Sequence, residues 1–380
     1  MVAIICEFNP FHNGHKYILE KARGLTGEPV LAIMSGSFTQ RGEPALCSKF
    51  ERAKAALQNG ADLVVELPAV YAVASAQRFA LGGVNIAKAF GAGFLAFGCE
   101  CDDLAVLQDA AGALKNPEVN EEIAILMKSG EYYPKAVEQA VRKICGGSVA
   151  DVLTSPNNIL AVEYLRALDG SEIKPLPVRR VATAHDSGET NGNFASASKI
   201  REMLRAGLDS SEFMPSVPSE LTYSQSLERA ILFKLRSMTA DDFAGLPEVG
   251  EGLENRLLNA VKQYNSVEEI IAAVKTKRYT HARLRRIICC AMLGITEELQ
   301  SKTAGYARVL GFTDDGAALL KNCACEVVTS VSKAMKHGGE NALFLQKDVL
   351  ATDLAALAYK QVKSCSADYL TKMLRKNRAK

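Results

Sequence analysis

The sequence predicts an α/β protein, with a parallel sheet covered by helices in residues 1–210 and an all-helical region in residues 211–380. Short apolar segments of strand length alternate with longer amphipathic segments in the first half, as in β-α-β proteins. In the second half apolar residues recur with a period near 3.6, which predicts helices. Ala206–Pro218 is rich in Ser, Asp, Gly and Pro, so we expect the domain boundary there.

The expected strands are apolar and separated by helices, so they should form a parallel sheet. The helices between them are expected at Gly14–Arg23, Lys49–Asn59 and Ser75–Phe90, and residues 102–168 should be mainly helical. The expected strands are Val2–Cys6, Pro29–Met34, Ala61–Leu67, Phe94–Phe97 and Pro177–Val181.

Three strand ends carry polar or glycine residues that an ordinary connection would not need. These segments are Glu7–His15, Ser35–Gly42 and Gly98–Glu100. Ligands of parallel sheets bind beyond the carboxyl ends of the strands. We therefore expect the three segments to converge on one crevice.

The composition excludes several classes of protein. The 45 Lys and Arg nearly balance 43 Asp and Glu, a formal net charge of +2, so a nucleic-acid surface must be a local patch and a DNA partner is not expected. No apolar run has membrane-spanning length and no secretion signal is evident, so we expect a cytoplasmic protein without a membrane partner. The ten cysteines lack zinc-site spacing, which predicts buried, reduced thiols.

The segment His12-Asn13-Gly14-His15 follows the first predicted strand and opens the first predicted helix. A helix N-terminus presents free N–H groups and the positive end of the helix dipole, which suits a phosphate. Imidazoles there can donate hydrogen bonds to a phosphate whose charge grows during reaction, and glycine permits its close approach. No Gly-Lys dipeptide occurs, which excludes a Walker loop. The junction predicts an ATP site with His12 and His15 as catalytic residues; the alternative is an ordinary turn with one capping histidine.

This His-x-Gly-His pattern resembles the signature of the nucleotidyltransferase superfamily that includes class I aminoacyl-tRNA synthetases. Those enzymes attack the α-phosphate of ATP and expel pyrophosphate. The segment Ser196–Arg201 resembles their second element, which grasps the outer phosphates, although Ala197 replaces the usual middle serine. The resemblance implies phosphate contacts by Ser196, Ser198 and Arg201, while the segment alone would also suit a plain helix cap.

A narrower resemblance extends along the chain. The segments EFNPFHNGH, SGSFTQRGEPA, KFERAKAALQNGADLVVELP, FGCE, PNNILAVEYL, RRVATAHD and SASKIR follow the order and spacing of the tRNA(Met) cytidine acetate ligase family. Weaker similarity continues through RYTHARLRRII and ARVLGFTDDGAALLK. Such a ligase would use ATP, with Mg²⁺, and acetate to form acetyl-adenylate and pyrophosphate. It would then acetylate the exocyclic amine of the wobble cytidine of elongator tRNA(Met) and release AMP.

The same resemblance implies a set of ATP-contacting residues. Arg180 is selected over its neighbour Arg179 because the family's arginine precedes a small-residue run that ends in His-Asp. The Mg²⁺ ligands and the acetate pocket are not identified by the sequence. The implied contacts are Ile5, Cys6, Glu7, Phe8, Asn9, Pro10, Phe11, His12, Asn13, Gly14, His15, Gly98, Asn157 and Arg180.

Two further groups of cations are candidates for binding the other substrates. Arg41 could serve an acyl or phosphate pocket, or could belong to a surface loop exposed to water. A basic patch free of acidic residues between Ile271 and Cys290 could contact tRNA phosphates, or could be a solvated helix face. The terminal residues 372–380 add more positive charge. The patch contains Lys275, Lys277, Arg278, His281, Arg283, Arg285 and Arg286.

Two other functions fit the same residues. A small-molecule adenylyltransferase would join AMP to a phosphorylated cofactor precursor through the same histidines. An RNA-binding or nucleotide-sensing protein would bind ATP without turnover.

Overall fold

A computed structural model of the chain describes residues 1–181, 190 and 192–377. Its strands form one eight-stranded sheet in the order β5-β4-β1-β2-β3-β6-β7, with β8 also paired to β6. The first five strands are mutually parallel, as predicted. The strands are β1 (Val2–Cys6), β2 (Val30–Ser35), β3 (Leu63–Leu67), β4 (Phe94–Cys99), β5 (Lys174–Arg179), β6 (Tyr306–Thr313), β7 (Glu326–Val328) and β8 (Leu374–Lys376).

Helices connect and cover these strands. The first half contains α1 (Asn13–Thr26), α2 (Lys49–Gln58), α3 (Ala69–Ala72), α4 (Ala76–Ala89), α5 (Leu104–Ala113), α6 (Pro117–Lys128), α7 (Tyr133–Cys145), α8 (Gly147–Val152), α9 (Pro156–Ala167) and α10 (Ala197–Arg205). The second half contains α11 (Glu228–Arg236), α12 (Ala240–Ala244), α13 (Leu253–Gln263), α14 (Val267–Val274), α15 (His281–Leu293), α16 (Glu297–Ser301), α17 (Asp314–Leu319), α18 (Val331–His337), α19 (Gly339–Ala355) and α20 (Ala367–Leu370).

The fifth strand begins earlier than predicted. It covers Lys174–Arg179 instead of Pro177–Val181, and it contains both Pro175 and Pro177. The strand lies at the edge of the sheet and pairs with β4. An edge strand tolerates proline because alternate backbone N–H groups point away from the neighbouring strand. The prolines at positions 175 and 177 therefore do not exclude a strand that begins at Lys174.

The expectation of an all-helical second half is wrong. Helices dominate it, but β6, β7 and β8 join the sheet of the first half, with β6 antiparallel to β3. The segment that forms β6 is apolar and almost fully buried. Its pairing with β3 connects residues about 245 positions apart, for example Val65 with Val309, so local periodicity did not indicate it. The division into domains near residue 210 stays a prediction.

The two faces of the sheet bury separate apolar layers. Ala3 and Ile5 point into a layer that includes α4, whereas Val2 and Ile4 point into a layer that includes α1. This alternation follows from the period of two along a strand. Helices α1 and α4 therefore cover opposite faces, and both begin near the carboxyl ends of the strands.

The composition led to expectations about the cysteines and about membrane-spanning segments. All ten cysteines are unpaired, and four of them are buried, while Cys365 is exposed. Within the described part of the chain, none of the helices is both long enough and apolar enough to cross a lipid bilayer.

Candidate active site

The junction between β1 and α1 holds the two histidines in one compact arrangement. His12 is the N-cap of α1, and its Nδ1 accepts the Gly14 N–H at 3.0 Å. The His15 Nδ1 accepts the His12 N–H at 3.3 Å, which completes a reciprocal capping box. The two rings stack with centroids 3.7 Å apart. A side chain at Gly14 would place its Cβ 2.8 Å from His12 Cε1, so glycine is required for this stack.

This geometry fixes the tautomer of both histidines. Each Nδ1 faces a backbone N–H and must accept, so the proton of each neutral ring lies on Nε2. Burial, with the nearby Arg180 and Arg201, lowers the pKa of His12 to about 3. Burial and the neighbouring His12 likewise hold the pKa of His15 well below its ordinary value. Both rings are therefore neutral near pH 7 and can donate hydrogen bonds from Nε2.

These lowered pKa values predict a pH dependence of stability. An unfolded chain protonates His12 near its ordinary pKa of 6.5, whereas the folded chain does so near a pKa of about 3. Between those values the unfolded state binds the extra proton, so the free energy of unfolding should fall as the pH falls. Urea unfolding at pH 7 and pH 4.5 should show that the free energy of unfolding falls more for the wild type than for a His12→Asn variant. Equal losses in the two proteins would contradict neutral burial of His12.

The other residues of the segment 5–13, around the junction of β1 and α1, differ in their roles. Ile5, Cys6, Glu7, Phe8 and Asn9 line the cavity described below, whereas Pro10, Phe11 and Asn13 do not. Phe11 is buried against Phe8, with ring centroids 4.9 Å apart. The Asn13 Nδ2 donates to the backbone oxygens of Asn193 at 2.7 Å and Glu212 at 2.9 Å. Phe11 and Asn13 thus hold the junction in place from outside the cavity.

A second wall comes from the start of α10. Ser196 caps this helix by accepting the Lys199 N–H at 3.2 Å. Arg201 donates to the Asn9 backbone oxygen at 2.8 Å and to the Ser198 hydroxyl at 2.9 Å. Burial and the nearby Arg41 lower the pKa of Arg201, which remains cationic. The segment that the sequence assigned to phosphate binding therefore lies against the His12–His15 junction.

A third wall lies at the ends of β4 and β5. The Asn157 Nδ2 donates to Glu100 Oε1 at 2.6 Å, and its Oδ1 lies 3.5 Å from Arg180 Nη1. Arg180 also approaches Glu100, at 4.0 Å. Arg179 is more exposed and pairs with Asp102 at 3.6 Å. Gly98 adjoins Arg180, since a Cβ at this glycine would lie 3.5 Å from the Arg180 Cγ.

The loop after β2 forms the last wall, and it is held by Glu7 and by Arg52, a residue that the sequence did not single out. The Glu7 Oε1 accepts the Gln40 N–H at 2.7 Å, and burial raises the pKa of Glu7. Arg52 on α2 is 1% exposed. It donates to the backbone oxygens of Glu7 at 2.6 Å and Ser35 at 2.9 Å, and also to the backbone oxygen of Gly36. A buried guanidinium that binds carbonyl groups at two strand ends fixes those ends relative to each other. Lys49, one turn earlier on α2, belongs to a buried ion network.

These walls enclose a cavity of about 390 Å³ at the carboxyl ends of the parallel strands, within the range of small-ligand sites. It brings together most residues that the sequence assigned to nucleotide binding. The cavity is also lined by aromatic residues that no sequence motif indicated, namely Tyr17, Phe79, Phe97, Tyr164 and Phe194. The predicted residues that line it are Ile5, Cys6, Glu7, Phe8, Asn9, His12, Gly14, His15, Arg41, Gly98, Asn157, Arg180, Ser196, Ser198 and Arg201.

The basic patch lies elsewhere, and acidic residues from other segments neutralise much of it. Arg278 pairs with Glu251, His281 with Glu268, and Arg286 with Glu248. Arg285 pairs with both Glu43 and Glu268, and Arg283 stacks on Tyr279, 4.8 Å from the ring centroid. Lys275 and Lys277 are exposed and show no ion pair with any described residue. The two lysines are therefore exposed positive charges without an ion pair, and Arg283, which also has no carboxylate partner among the described residues, is held by the Glu248 backbone oxygen and Tyr279.

Part of the sequence pattern lies outside the described residues. This applies to most of the RRVATAHD segment beyond Val181, including its His-Asp pair, to residues 182–189 and 191 of the following loop, and to Arg378 in the terminal basic segment.

Comparisons with known proteins show the family to which the chain belongs. The chain matches the family model described as HIGH Nucleotidyl Transferase over residues 1–369. It is 36% identical over 401 aligned positions to the tRNA(Met) cytidine acetate ligase of Thermoanaerobacter sp. (strain X514), with 99% of each chain covered. It is 37% identical over 380 positions to the protein of the same name from Caldicellulosiruptor saccharolyticus, with 94% of each covered.

Solved structures show the same similarity. The crystal structure of Thermotoga maritima TmcAL in its apo form I superposes with a TM-score of 0.90 at 29% identity, covering 99% of both chains. The structure of TmcAL bound with alpha-thio ATP superposes with a TM-score of 0.88 at 28% identity, again covering 99% of both. The predicted α/β nucleotidyltransferase fold is confirmed. The chain therefore belongs to the HIGH nucleotidyltransferases and, among them, to the tRNA(Met) cytidine acetate ligase family.

Proposed function

We propose that the protein is an ATP-dependent ligase that activates acetate as acetyl-adenylate and transfers the acetyl group to the wobble cytidine of elongator tRNA(Met). The single observation that carries this proposal is the stacked His12–His15 pair at the start of α1, inside a cavity that also holds Arg180 and Arg201. The family membership supports the choice of acetate and tRNA(Met), since the relatives carry that name. Because ATP and tRNA are cytoplasmic, we place the protein in the cytoplasm.

In the first step a carboxylate oxygen of acetate attacks the α-phosphorus of ATP, and the bond to the bridging oxygen breaks with release of pyrophosphate. The neutral His12 and His15 would donate from Nε2 to the α-phosphate as negative charge develops on it. Ser196, Ser198 and Arg201, at the start of α10, would bind the leaving pyrophosphate. No covalent intermediate with the protein is needed, because positioning and charge stabilisation suffice for this chemistry.

In the second step the exocyclic amine of cytidine attacks the acetyl carbonyl, and the bond from that carbon to the AMP oxygen breaks. AMP leaves, and the proton of the amine passes to solvent. The mixed anhydride is already activated, so the protein must chiefly position the cytosine, which has to leave the stack of the anticodon loop.

The magnesium ion expected with ATP has no protein cage in the described residues. Among residues 1–181, 190 and 192–377, no three His, Cys, Asp or Glu side chains lie close enough together to hold a metal. Magnesium in nucleotide sites is commonly bound through substrate phosphates and one or two carboxylates. The ion would therefore be held mainly by the triphosphate itself.

For the tRNA we propose the basic patch as the contact surface, with Lys275 and Lys277 carrying most of the attraction. Arg278, Arg285 and Arg286 must first give up carboxylate partners, whereas these two lysines need not. Arg283 has no carboxylate partner in the described part of the chain, but it is held by the Glu248 backbone oxygen and by stacking on Tyr279. Replacing both lysines with glutamine should reduce the slope of log K against log salt by about 1.4 to 1.8. Filter binding of tRNA between 50 and about 200 mM salt measures this slope.

A matched control for this prediction is available on α18. Lys333 and Lys336 are also exposed, and replacing both with glutamine removes the same charge from a helix outside the patch. An equal loss of slope in the control pair would show that net charge, and not the patch, determines tRNA binding.

The proposed reaction is tested by incubating the protein with ATP, Mg²⁺ and labelled acetate, with and without tRNA(Met). We expect acetate-dependent ATP–pyrophosphate exchange without tRNA, and label at the wobble cytidine together with AMP when tRNA is present. Exchange that requires a phosphorylated cofactor precursor instead of acetate would favour a small-molecule adenylyltransferase. ATP binding with no turnover under any condition would favour a sensor.

A further inference from the structure

The cavity has two sides relative to the central strand β1. On one side β4 and β5 supply Gly98 and Arg180, and Asn157 lies with them. On the other side β2 leads into residues 39–41 and 43, which share the cavity lining with Ala76 and Phe79 of α4. The residues of the first side are among the ATP contacts expected from the sequence, so we assign the nucleoside to that side. The second side has no assigned ligand.

The chemistry of phosphoryl transfer restricts where the carboxylate can enter. The attacking oxygen and the leaving pyrophosphate lie roughly in line, on opposite sides of the α-phosphorus. The proposed pyrophosphate site at α10 packs on the α1 side of the cavity, through Asn13 with Asn193 and Arg201 with Asn9. Helix α4 covers the opposite face of the sheet from α1. The nucleophile must therefore enter on the α4 side.

Helix α4 gives that side a small apolar wall. Its residues Ala76, Phe79 and Gly83 share one face, because they are three and four positions apart. A Cβ at Gly83 would lie 2.5 Å from the Ile5 Cδ1, so this face lies directly on β1. The helix runs back along the strands, so Ala76 lies about 10 Å further toward their carboxyl ends. Both Ala76 and Phe79 line the cavity there.

A cation lines the same cavity as this apolar wall. Arg41 lines the cavity, is exposed, and has no ion pair with any described residue. Its guanidinium is close enough to Glu7 and Arg201 to lower the pKa of both. A cavity lined both by a small apolar wall and by a guanidinium without an ion pair to any described residue suits a short-chain carboxylate.

We infer that Arg41, Ala76 and Phe79 form the acyl subsite, in which Arg41 orients the carboxylate and the α4 wall limits the length of the acyl chain. The inference rests on the proposed function. One oxygen of the bound carboxylate attacks the α-phosphorus, forming the O–P bond of the acyl-adenylate as the bond to pyrophosphate breaks. The acyl group is then left beside residues 42 and 43, where the cavity loop meets α15: Gly42 packs against the Arg285 backbone, and Glu43 pairs with Arg285. An acceptor bound on the patch could reach it there.

The experiment measures ATP–pyrophosphate exchange by the full chain as a function of ATP, acetate and propionate concentrations. Arg41→Gln should raise the KM for acetate by about tenfold or more and leave the KM for ATP within about twofold. Ala76→Leu should block acetate use while a fluorescent ATP analogue still binds. Ala76→Gly should raise the ratio of propionate to acetate kcat/KM by about fivefold or more, since one methylene is commonly worth tenfold in such a pocket.

Two matched controls separate local effects from general damage. Gln77→Leu adds the same side chain to the exposed neighbouring position of α4, and Lys54→Gln removes an exposed cation from α2. Both should keep wild-type KM values. If wild type shows no acetate-dependent exchange, the proposed function itself fails. If wild type is active but Arg41→Gln raises the KM for ATP instead of acetate, or Ala76→Gly leaves the acid preference unchanged, the acyl subsite is wrong.

Discussion

Replacing His12 with asparagine should lower acetate-dependent ATP–pyrophosphate exchange by about 10²–10³-fold while the protein remains folded. The Asn Oδ1 can occupy the place of the imidazole Nδ1, which accepts the Gly14 N–H at 3.0 Å, so the cap of α1 is retained. The variant loses the Nε2–H donor that we assign to the α-phosphate. Initial rates of exchange at saturating ATP, together with the thermal unfolding midpoint, measure the two effects separately.

The converse variant is His12→Gln. Its amide nitrogen can approach the position of Nε2, while its oxygen is poorly placed to cap the helix, which costs about 1 kcal/mol. We expect this protein to be less stable than the asparagine variant but more active. Wild-type exchange in His12→Asn would remove His12 from the catalytic step.

The sequence predicted those parts of the site whose geometry is set by residues close together in the chain. Gly14, His12 and His15 form a capping box within four positions, so their pattern alone shows where a helix starts. Ser196 likewise caps α10 locally. Their convergence in one cavity could be expected from the parallel sheet, whose strand ends all lie on one edge.

The electrostatics of the basic patch could not be predicted in this way. The stretch between Ile271 and Cys290 contains no acidic residue, yet its arginines meet Glu43, Glu248 and Glu251 from other segments. The seven-residue spacing of Arg278 and Arg285 predicts a shared helix face, but Arg278 precedes α15, so the two do not lie on one helix. Pairing of this kind is set by tertiary packing, which local sequence does not report.

The buried charges of α2 were missed for a related reason. A helix that begins Lys-Phe-Glu-Arg suggests a solvent-facing surface, because lysine and arginine are seldom fully buried. In the structure Lys49 and Arg52 are each 1% exposed. Their partners include Glu66 on β3 for Lys49 and the carbonyl ends of β1 and β2 for Arg52. Arg308 on β6 is a further buried cation of this kind, and it also pairs with Glu66.

Replacing Glu66 with leucine should destabilise the protein by about 3–5 kcal/mol, the largest loss we expect from a single substitution. Glu66 is 1% exposed and binds Lys49 at 2.7 Å and Arg308 at 2.9 Å. Asp368 completes the network, accepting from Lys49 at 2.9 Å and from Arg308 at 2.8 Å. The two cations and two carboxylates balance while buried. Without Glu66, one positive charge has no compensating partner, and its desolvation is no longer offset.

A double variant tests whether this imbalance, and not lost packing, is the cause. Lys49→Met combined with Glu66→Leu leaves Arg308 paired with Asp368, so the remaining buried charges balance again. Because balanced apolar replacement of an ion pair is often neutral, the double variant should be more stable than Glu66→Leu alone. Urea unfolding midpoints, compared at equal m values, give the difference. A single variant within about 1 kcal/mol of wild type, or a double variant less stable than the single, would mean that the network does not stabilise the junction of β3 and β6 in this way.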